Sequence, residues 1–249
     1  LKYSNIKYFC NENNVEDVNF YIALNHTTGK YIRLFNDTLR FKPGSLISML
    51  KVIESSSENK LLLFFQNVNY LHKDTLIKFN NKLDFFKNTS FLVTWIANFG
   101  CWKTQFNYIS NPCKYAWTKL LQVDWLFQLV ESNSFGVIYF NDYFDSIIPS
   151  KKGGYNLFSI FINNYLYIIK LHFGNKKRFF FLIEREKYFL FRYFALSWYW
   201  RLLLNRNEDF SFDLKRSNKI LLGEYWYYPY YWGGILILYI KNFKRLLSL

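Results

Sequence analysis

The sequence predicts an α/β fold built around a parallel sheet. Short apolar runs alternate with amphipathic segments along the chain, and 249 residues, 51% of them hydrophobic, suffice to bury a large core. Aromatic residues alone make up 23%, asparagine numbers 26, and glycine and proline number only 10 and 4. This composition indicates codon pressure from an AT-rich genome, which is typical of organelles.

The first half of the chain predicts strand, helix, strand, helix and strand in turn. "GKYIRLF" (29–35) alternates apolar and basic residues before an Asn-Asp turn, and "GSLISMLKVIESSS" (44–57) has apolar residues at helical spacing. "KLLLFFQ" (60–66) is apolar throughout, as expected for a strand buried on both faces. Residues 72–88 predict an amphipathic helix, and "SFLVTW" (90–95) predicts another buried strand.

The second half continues the alternation. Residues 114–132 predict a helix, and "FGVIYFN" (135–141) and "LFSIFINN" (157–164) predict strands. A long aromatic helix is expected over 174–206. The predicted organisation is an irregular N-terminal arm over residues 1–19, an α/β domain over 20–206 and an aromatic C-terminal extension over 207–249.

The stretch "SFLVTWIANFGCWKTQF" (90–106) stands out because two tryptophans flank small residues and Lys-Thr follows at once. It lies where a strand of the predicted sheet ends, and loops beyond the carboxyl ends of parallel strands form the usual binding crevice. We expect a strand-to-helix crossover that delivers Lys103 towards a ligand.

The charge of the chain favours a polyanionic partner. Thirty-two lysines and arginines stand against 18 acidic residues, a net charge of +14. Nucleic acid and an anionic membrane surface both fit this balance, and so does a merely soluble basic protein.

No stretch of the sequence is a convincing membrane span. The longest runs without a charge, 153–169 and 225–240, are shorter than the roughly 20 apolar residues of a spanning helix and contain asparagine, glycine or proline. Cys10, Cys101 and Cys113 form no CxxC pair, which favours a reducing compartment. No signal or transit segment is visible, so we expect synthesis inside the organelle if the protein is mitochondrial.

With these elements in order, the layout resembles ribosomal protein S-two, the second universal protein of the small ribosomal subunit. "TTGKYIRLFNDTL" (27–39) is similar to the family's first strand and turn, and "TWIANFGCWKT" (94–104) to its R-W-I-G-G-x-L-T-N-W-K-T signature. "FGVIYFN", "IFINN" (160–164) and "FGNKKR" (173–178) follow in the family's order. Ala97 replaces the first signature glycine, and Lys176 stands where the family has aspartate.

The resemblance implies a three-layer, flavodoxin- or Rossmann-like domain without cofactor or small-molecule substrate. It implies a structural constituent of a mitochondrial small ribosomal subunit in the matrix, in a divergent, mitochondrially encoded form such as a ciliate would have. The partners would be small-subunit ribosomal RNA and neighbouring small-subunit proteins.

Basic residues next to aromatic ones are the candidate RNA contacts, because lysine and arginine neutralise phosphates and aromatic faces stack on unpaired bases. The candidates are Lys30, Arg33, Trp102, Lys103, Asn175, Lys176, Lys177, Arg178 and Arg185. A solvated helix end is the alternative for 176–178, and core packing is the alternative for the tryptophans.

Catalysis is not indicated by any motif. No GxSxG or GxxxxGK[ST] is present, and His26, His72 and His172 lack nearby ligands at metal spacing. Glu184 and Glu186 do not share a helix face and are expected to be surface charges. The alternative function is an organelle-encoded accessory subunit of a respiratory-chain membrane complex, followed by an enzyme on a doubly wound fold.

Overall fold

The chain folds as a mixed α/β protein, which confirms the predicted class. The computed structural model describes residues 6–67, 75–133, 135–147, 152–174, 177–205 and 209–246. The finer prediction of a parallel, three-layer arrangement is not confirmed, because the largest sheet described has three strands and pairs only two of them in parallel.

The first half contains most of the strands. Its helices and strands are α1 (Val18–His26), β1 (Tyr31–Arg33), β2 (Leu39–Phe41), α2 (Ser45–Ser55), β3 (Leu62–Gln66), β4 (Leu76–Phe79), α3 (Lys82–Thr89), β5 (Gly100–Trp102) and α4 (Lys103–Phe106). The predicted strands at 29–35 and 60–66 and the helix at 44–57 are confirmed. Asn81 begins α3 by accepting a hydrogen bond from the Asp84 backbone N–H at 2.8 Å.

The second half is mainly helical. It comprises α5 (Leu121–Ser132), β6 (Gly136–Phe140), β7 (Phe144–Ser146), β8 (Lys152–Gly153), α6 (Tyr165–Phe173), α7 (Phe180–Leu190), α8 (Leu196–Trp198), β9 (Phe210–Ser211), α9 (Ser217–Tyr225) and α10 (Pro229–Leu246). Helical turns of π type precede α6 and join α7 to α8, so the long helix expected over 174–206 is confirmed for residues 177–204.

Four predictions of secondary structure are wrong in whole or in part. Residues 90–95 form a 3-10 helix up to Thr94 instead of a strand, and residues 157–164 are helical turns leading into α6. In the segment expected to be one helix, 72–88, residues 72–74 lie outside the described residues, and the rest is β4 followed by α3. The helix expected over 114–132 begins only at Leu121.

β3 is the strand on which the two cores of the described chain meet. It pairs in parallel with β6, and β4 pairs antiparallel with the other side of β6. Leu62 and Phe64 belong to the main core, whereas Leu63 and Phe65 belong to a smaller one beside α2. The apolar run is therefore covered on both faces, as its composition predicts.

The C-terminal segment is part of the main core. Leu221 and Tyr225 of α9 and Tyr231 of α10 are buried there together with Phe191. The outward face of α10 remains apolar, with Trp232, Leu236, Ile237, Tyr239 and Ile240 exposed. One helix thus packs inward and leaves a second apolar face uncovered.

Candidate nucleic-acid interface

Antiparallel pairing of β1 with β5 brings two of the predicted site regions together. Tyr31 lies opposite Trp102, and the Lys103 backbone N–H donates to the Lys30 carbonyl at 2.8 Å. The crossover expected after a strand at 90–95 is wrong, because residues 90–94 form a 3-10 helix; a short strand that was not predicted, β5, leads into α4 instead. A cleft of about 370 Å³ opens there and is lined by Lys30, Ser57, Glu58, Lys60, Trp102, Lys103 and Thr104.

Trp102 and Lys103 make structural contacts at this junction. Trp102 is only 3% exposed, and its indole N–H donates to the Leu61 carbonyl at 2.8 Å. The Lys103 Nζ donates to the Leu24 carbonyl at 2.6 Å, near the C-terminal end of α1. Base stacking on Trp102 and delivery of Lys103 towards RNA do not fit this geometry, because Trp102 is buried and both side chains donate intramolecular hydrogen bonds.

Arg33 also lies inside the fold instead of at an RNA surface. Its guanidinium donates to the Ala97 carbonyl and lies 5.1 Å from the Phe65 ring centroid, against the smaller core. Burial lowers the pKa of this guanidinium below its usual value. Arg33 therefore links β1 to the turn at Ala97, and its guanidinium is not available to bind an RNA phosphate.

The junction of α6 and α7 presents the exposed aromatic and basic residues of the site. Phe180 is 57% exposed and Phe181 82%, with Lys170 and Lys177 exposed beside them around a cavity of about 440 Å³. Of the predicted cluster, Asn175 and Lys176 lie outside the described residues. Only the backbone of Arg178 is described, within a short 3-10 helix that leads into α7.

Arg185 makes structural contacts from α7 to the end of α3. Its guanidinium donates to the Lys87 carbonyl at 3.1 Å and lies 4.5 Å from the centroid of the Phe189 ring. Burial lowers the pKa of Arg185. Because Lys87 lies in the last turn of α3, Arg185 satisfies a carbonyl at a helix end, which is where a cation is favourable.

Glu186 corrects the expectation of a surface carboxylate. It is 0% exposed and accepts hydrogen bonds from the Ser90 hydroxyl, at 2.7 and 2.9 Å, and from the Tyr165 hydroxyl at 2.7 Å. Burial raises its pKa to about 7, against the opposing effect of these hydrogen bonds. The glutamate therefore ties α7 to α6 and to the 3-10 helix that begins at Ser90.

Lys187 forms the neighbouring polar contact between α7 and the C-terminal segment. Its Nζ lies 2.7 Å from a Glu224 carboxylate oxygen and 3.6 Å from one of Glu184. Lys187 is buried too, so Glu186 and Lys187 belong to the packing between helices, while Glu184 is half-buried beside them.

The histidines give no support for metal chemistry. His172 pairs with the buried Asp124 at 2.8 Å, His26 stacks on Phe9, and His72 lies outside the described residues. Among the residues that the structure describes, no cluster of three or more His, Cys, Asp or Glu side chains could hold a metal ion.

Sequence reasoning missed four residues of the exposed surfaces. Phe180 and Phe181 read as core residues because they belong to the apolar run "FFFLI", and the lysines at 60 and 170 stand alone in sequence. The signal for Phe180 and Phe181 is their position next to Lys176, Lys177 and Arg178. An aromatic pair at the junction of a basic cluster and a helix is the pattern to look for.

Comparison of the chain with protein-family models, with curated proteins and with solved structures gave no match. In the part of the chain that the structure describes, no helix has the length and apolar character needed to cross a membrane.

Proposed function

We propose that this chain is a structural constituent of a mitochondrial small ribosomal subunit, where it binds ribosomal RNA and neighbouring ribosomal proteins. The observation that carries the proposal is the exposed pair Phe180 and Phe181, which lines one cavity together with Lys170 and Lys177. The resemblance to the S-two family supplies the ribosome as the setting.

The α6–α7 surface has the chemistry that unpaired RNA requires. Each base stacked on an aromatic side chain contributes about 1–3 kcal/mol, and lysines neutralise the adjacent phosphates. Glu184 is the acidic residue that lines the same cavity, and its carboxylate lies close to Lys187. Negative charge at the surface is therefore partly compensated, which suits a polyanionic ligand on a chain of net charge +14.

The fold proposed for this role is a reduced form of the three-layer arrangement. The parallel pair β3–β6 supports this proposal, because the main core packs on one face of β3 and the core beside α2 on the other. The antiparallel strand β4 then stands where a further parallel strand would be expected.

The exposed face of α10 is the proposed contact with neighbouring proteins. Trp232, Leu236 and Ile240 recur every four residues and form one stripe on it. The same stripe is the observation that favours the second candidate, an accessory subunit of a respiratory-chain complex, because such a subunit also needs an apolar contact surface.

Two measurements test the proposal. Sedimentation of a mitochondrial detergent lysate in magnesium should place the chain with the small subunit, and removal of magnesium should shift it. Migration with respiratory complexes under both conditions contradicts the ribosomal assignment.

RNA binding by the purified chain tests the surface itself. Replacing Phe180 and Phe181 by alanine should weaken single-stranded RNA binding by about tenfold or more, since two stacking faces are lost. Trp117→Ala removes another exposed aromatic side chain and is the matched control. Equal affinities of the two variants would contradict binding at the α6–α7 surface.

A further inference from the structure

A second cavity lies on the side of the 3-10 helix formed by residues 90–94. Its volume is about 540 Å³, within the range of about 300–1,000 Å³ typical of small-molecule sites. Its walls are largely apolar and include six aromatic side chains, and the rings of Phe161 and Phe194 lie with their centroids 4.9 Å apart. Among the polar residues of the lining are Asp17, Lys119 and Gln122.

Gln122 lines this cavity and carries a buried hydrogen-bond acceptor that lacks a donor. The side chain is 2% exposed, and its Nε2 donates to the Thr94 carbonyl at 2.9 Å. Its Oε1 has no partner among the described residues. A buried amide oxygen without a partner is costly, so a ligand that donates an N–H to it gains more than it would in water.

Asp17 supplies a second acceptor on the same lining. Its side chain does not cap α1, although the residue stands at the N-cap position. Lys119 lies on the same cavity, and its ammonium pairs with Glu16, outside the cavity, at 2.8 Å. The cavity therefore combines aromatic rings, acceptor oxygens and one cation.

We propose that this cavity binds a nucleobase. Aromatic rings stack on a flat heterocycle, and Gln122 and Asp17 accept hydrogen bonds from its exocyclic amine or ring N–H. An acyl chain would leave the Gln122 oxygen unsatisfied, and a carboxylate would be repelled by Asp17. The base belongs either to an unstacked residue of single-stranded RNA, in which case the inference rests on the proposed function, or to a free nucleotide.

Calorimetric titration of the purified full-length chain with the four ribonucleoside 5′-monophosphates tests the inference. We expect saturable binding of at least one base that carries an exocyclic amine, and none of ribose 5-phosphate. Asp17→Asn should weaken this binding by about tenfold, because it removes the negative charge and replaces one of the two acceptor oxygens with an amide donor. Glu16→Gln makes the same charge change outside the cavity and should bind as the wild type does.

Gln122→Leu provides a second variant, which should lose the same binding without losing the far-ultraviolet circular dichroism of the fold. Failure of all four nucleotides to bind at millimolar concentration overturns the inference, and so does an equal response of the Asp17 and Glu16 variants. Competition by a single-stranded oligonucleotide, at a lower concentration than the free nucleotide, assigns the base to RNA. Lack of competition assigns the site to a free nucleotide.

The same data separate this inference from the proposed function. If the chain sediments with the small subunit but binds no nucleotide, the inference about the cavity is overturned and the ribosomal role stands. If the chain binds a nucleotide but never sediments with the small subunit, the ribosomal role is overturned and the inference about the cavity stands.

Discussion

Glu186 makes the stability of the fold depend on pH. Its pKa of about 7 in the folded chain exceeds the 4.5 of an exposed glutamate, so the folded state binds this proton more tightly. The stabilisation is complete below about pH 4.5 and is lost as the pH rises through about 7, which amounts to about 3 kcal/mol. Urea unfolding at a series of pH values should show this decline.

Glu186→Gln isolates the effect of that carboxyl. Glutamine keeps the size and an acceptor for Ser90 and Tyr165 but does not titrate, so the decline between about pH 4.5 and 7 should flatten. Glu54→Gln, at an exposed position of α2, is the control and should retain the wild-type profile. A profile that keeps its slope in Glu186→Gln would falsify the assignment to this residue.

Lys103 should contribute to stability more than to RNA binding. Its ammonium satisfies the carbonyls of Leu24 and Asn25 near the end of α1, so Lys103→Met should lower the free energy of unfolding by about 1 kcal/mol. Lys30→Met, at the neighbouring exposed lysine, should leave stability unchanged. Chemical denaturation of both variants makes the comparison, and equal stabilities would rule out the capping role.

At the scale of elements, two glycines should respond in opposite directions to alanine. A Cβ at Gly136 of β6 would lie 2.6 Å from the Leu62 carbonyl oxygen and would collide with the Phe79 ring, so Gly136→Ala should cost about 1–3 kcal/mol. Gly223 of α9 has open space around it, so Gly223→Ala should stabilise the chain by about 0.5–1 kcal/mol. Thermal unfolding distinguishes the two, and a stabilising Gly136→Ala would contradict the close packing of β6.

Apolar runs that lie in a sheet are correctly predicted as strands. Two apolar runs that lie among helices, 90–95 and 157–164, are wrongly predicted as strands too. "SFLVTW" is buried all round, and length and composition alone cannot separate a buried strand from a buried helical turn. The 3-10 helix begins at Ser90, whose hydroxyl donates to Glu186, a residue distant in sequence. In 157–169 the helical signal is present, because Phe158, Ile162, Tyr165 and Ile169 are all fully buried at spacings of four, three and four.

Prediction of the site fails for a related reason. Charge in the sequence does not say whether a cation reaches solvent or a carbonyl, and Arg33, Lys103 and Arg185 all donate to backbone carbonyls of distant segments. Lys30 and Lys177 remain exposed as expected. Only tertiary structure distinguishes these two groups of residues.

At the scale of the whole molecule, the stripe on α10 should govern association of the free chain. Leu236→Glu with Ile240→Glu places charges in an exposed apolar patch, so these changes should reduce self-association and leave the fold intact. Leu222→Glu, at an exposed apolar position of α9, is the control. Sedimentation velocity of the purified chains gives the comparison, and unchanged self-association would exclude the stripe as the contact.

The pairing of strands also sets the order in which the chain can fold during synthesis. β1 pairs with β5, β2 with β7 and β3 with β6. None of the first three strands can therefore form its ladder until a strand much later in the sequence has been synthesised. The apolar run Leu62–Gln66 therefore stays unpaired until the ribosome has added Gly136–Phe140, an interval of several seconds at about 5–20 residues per second. A nascent chain stopped before β6 exposes that run and is a natural substrate for a chaperone.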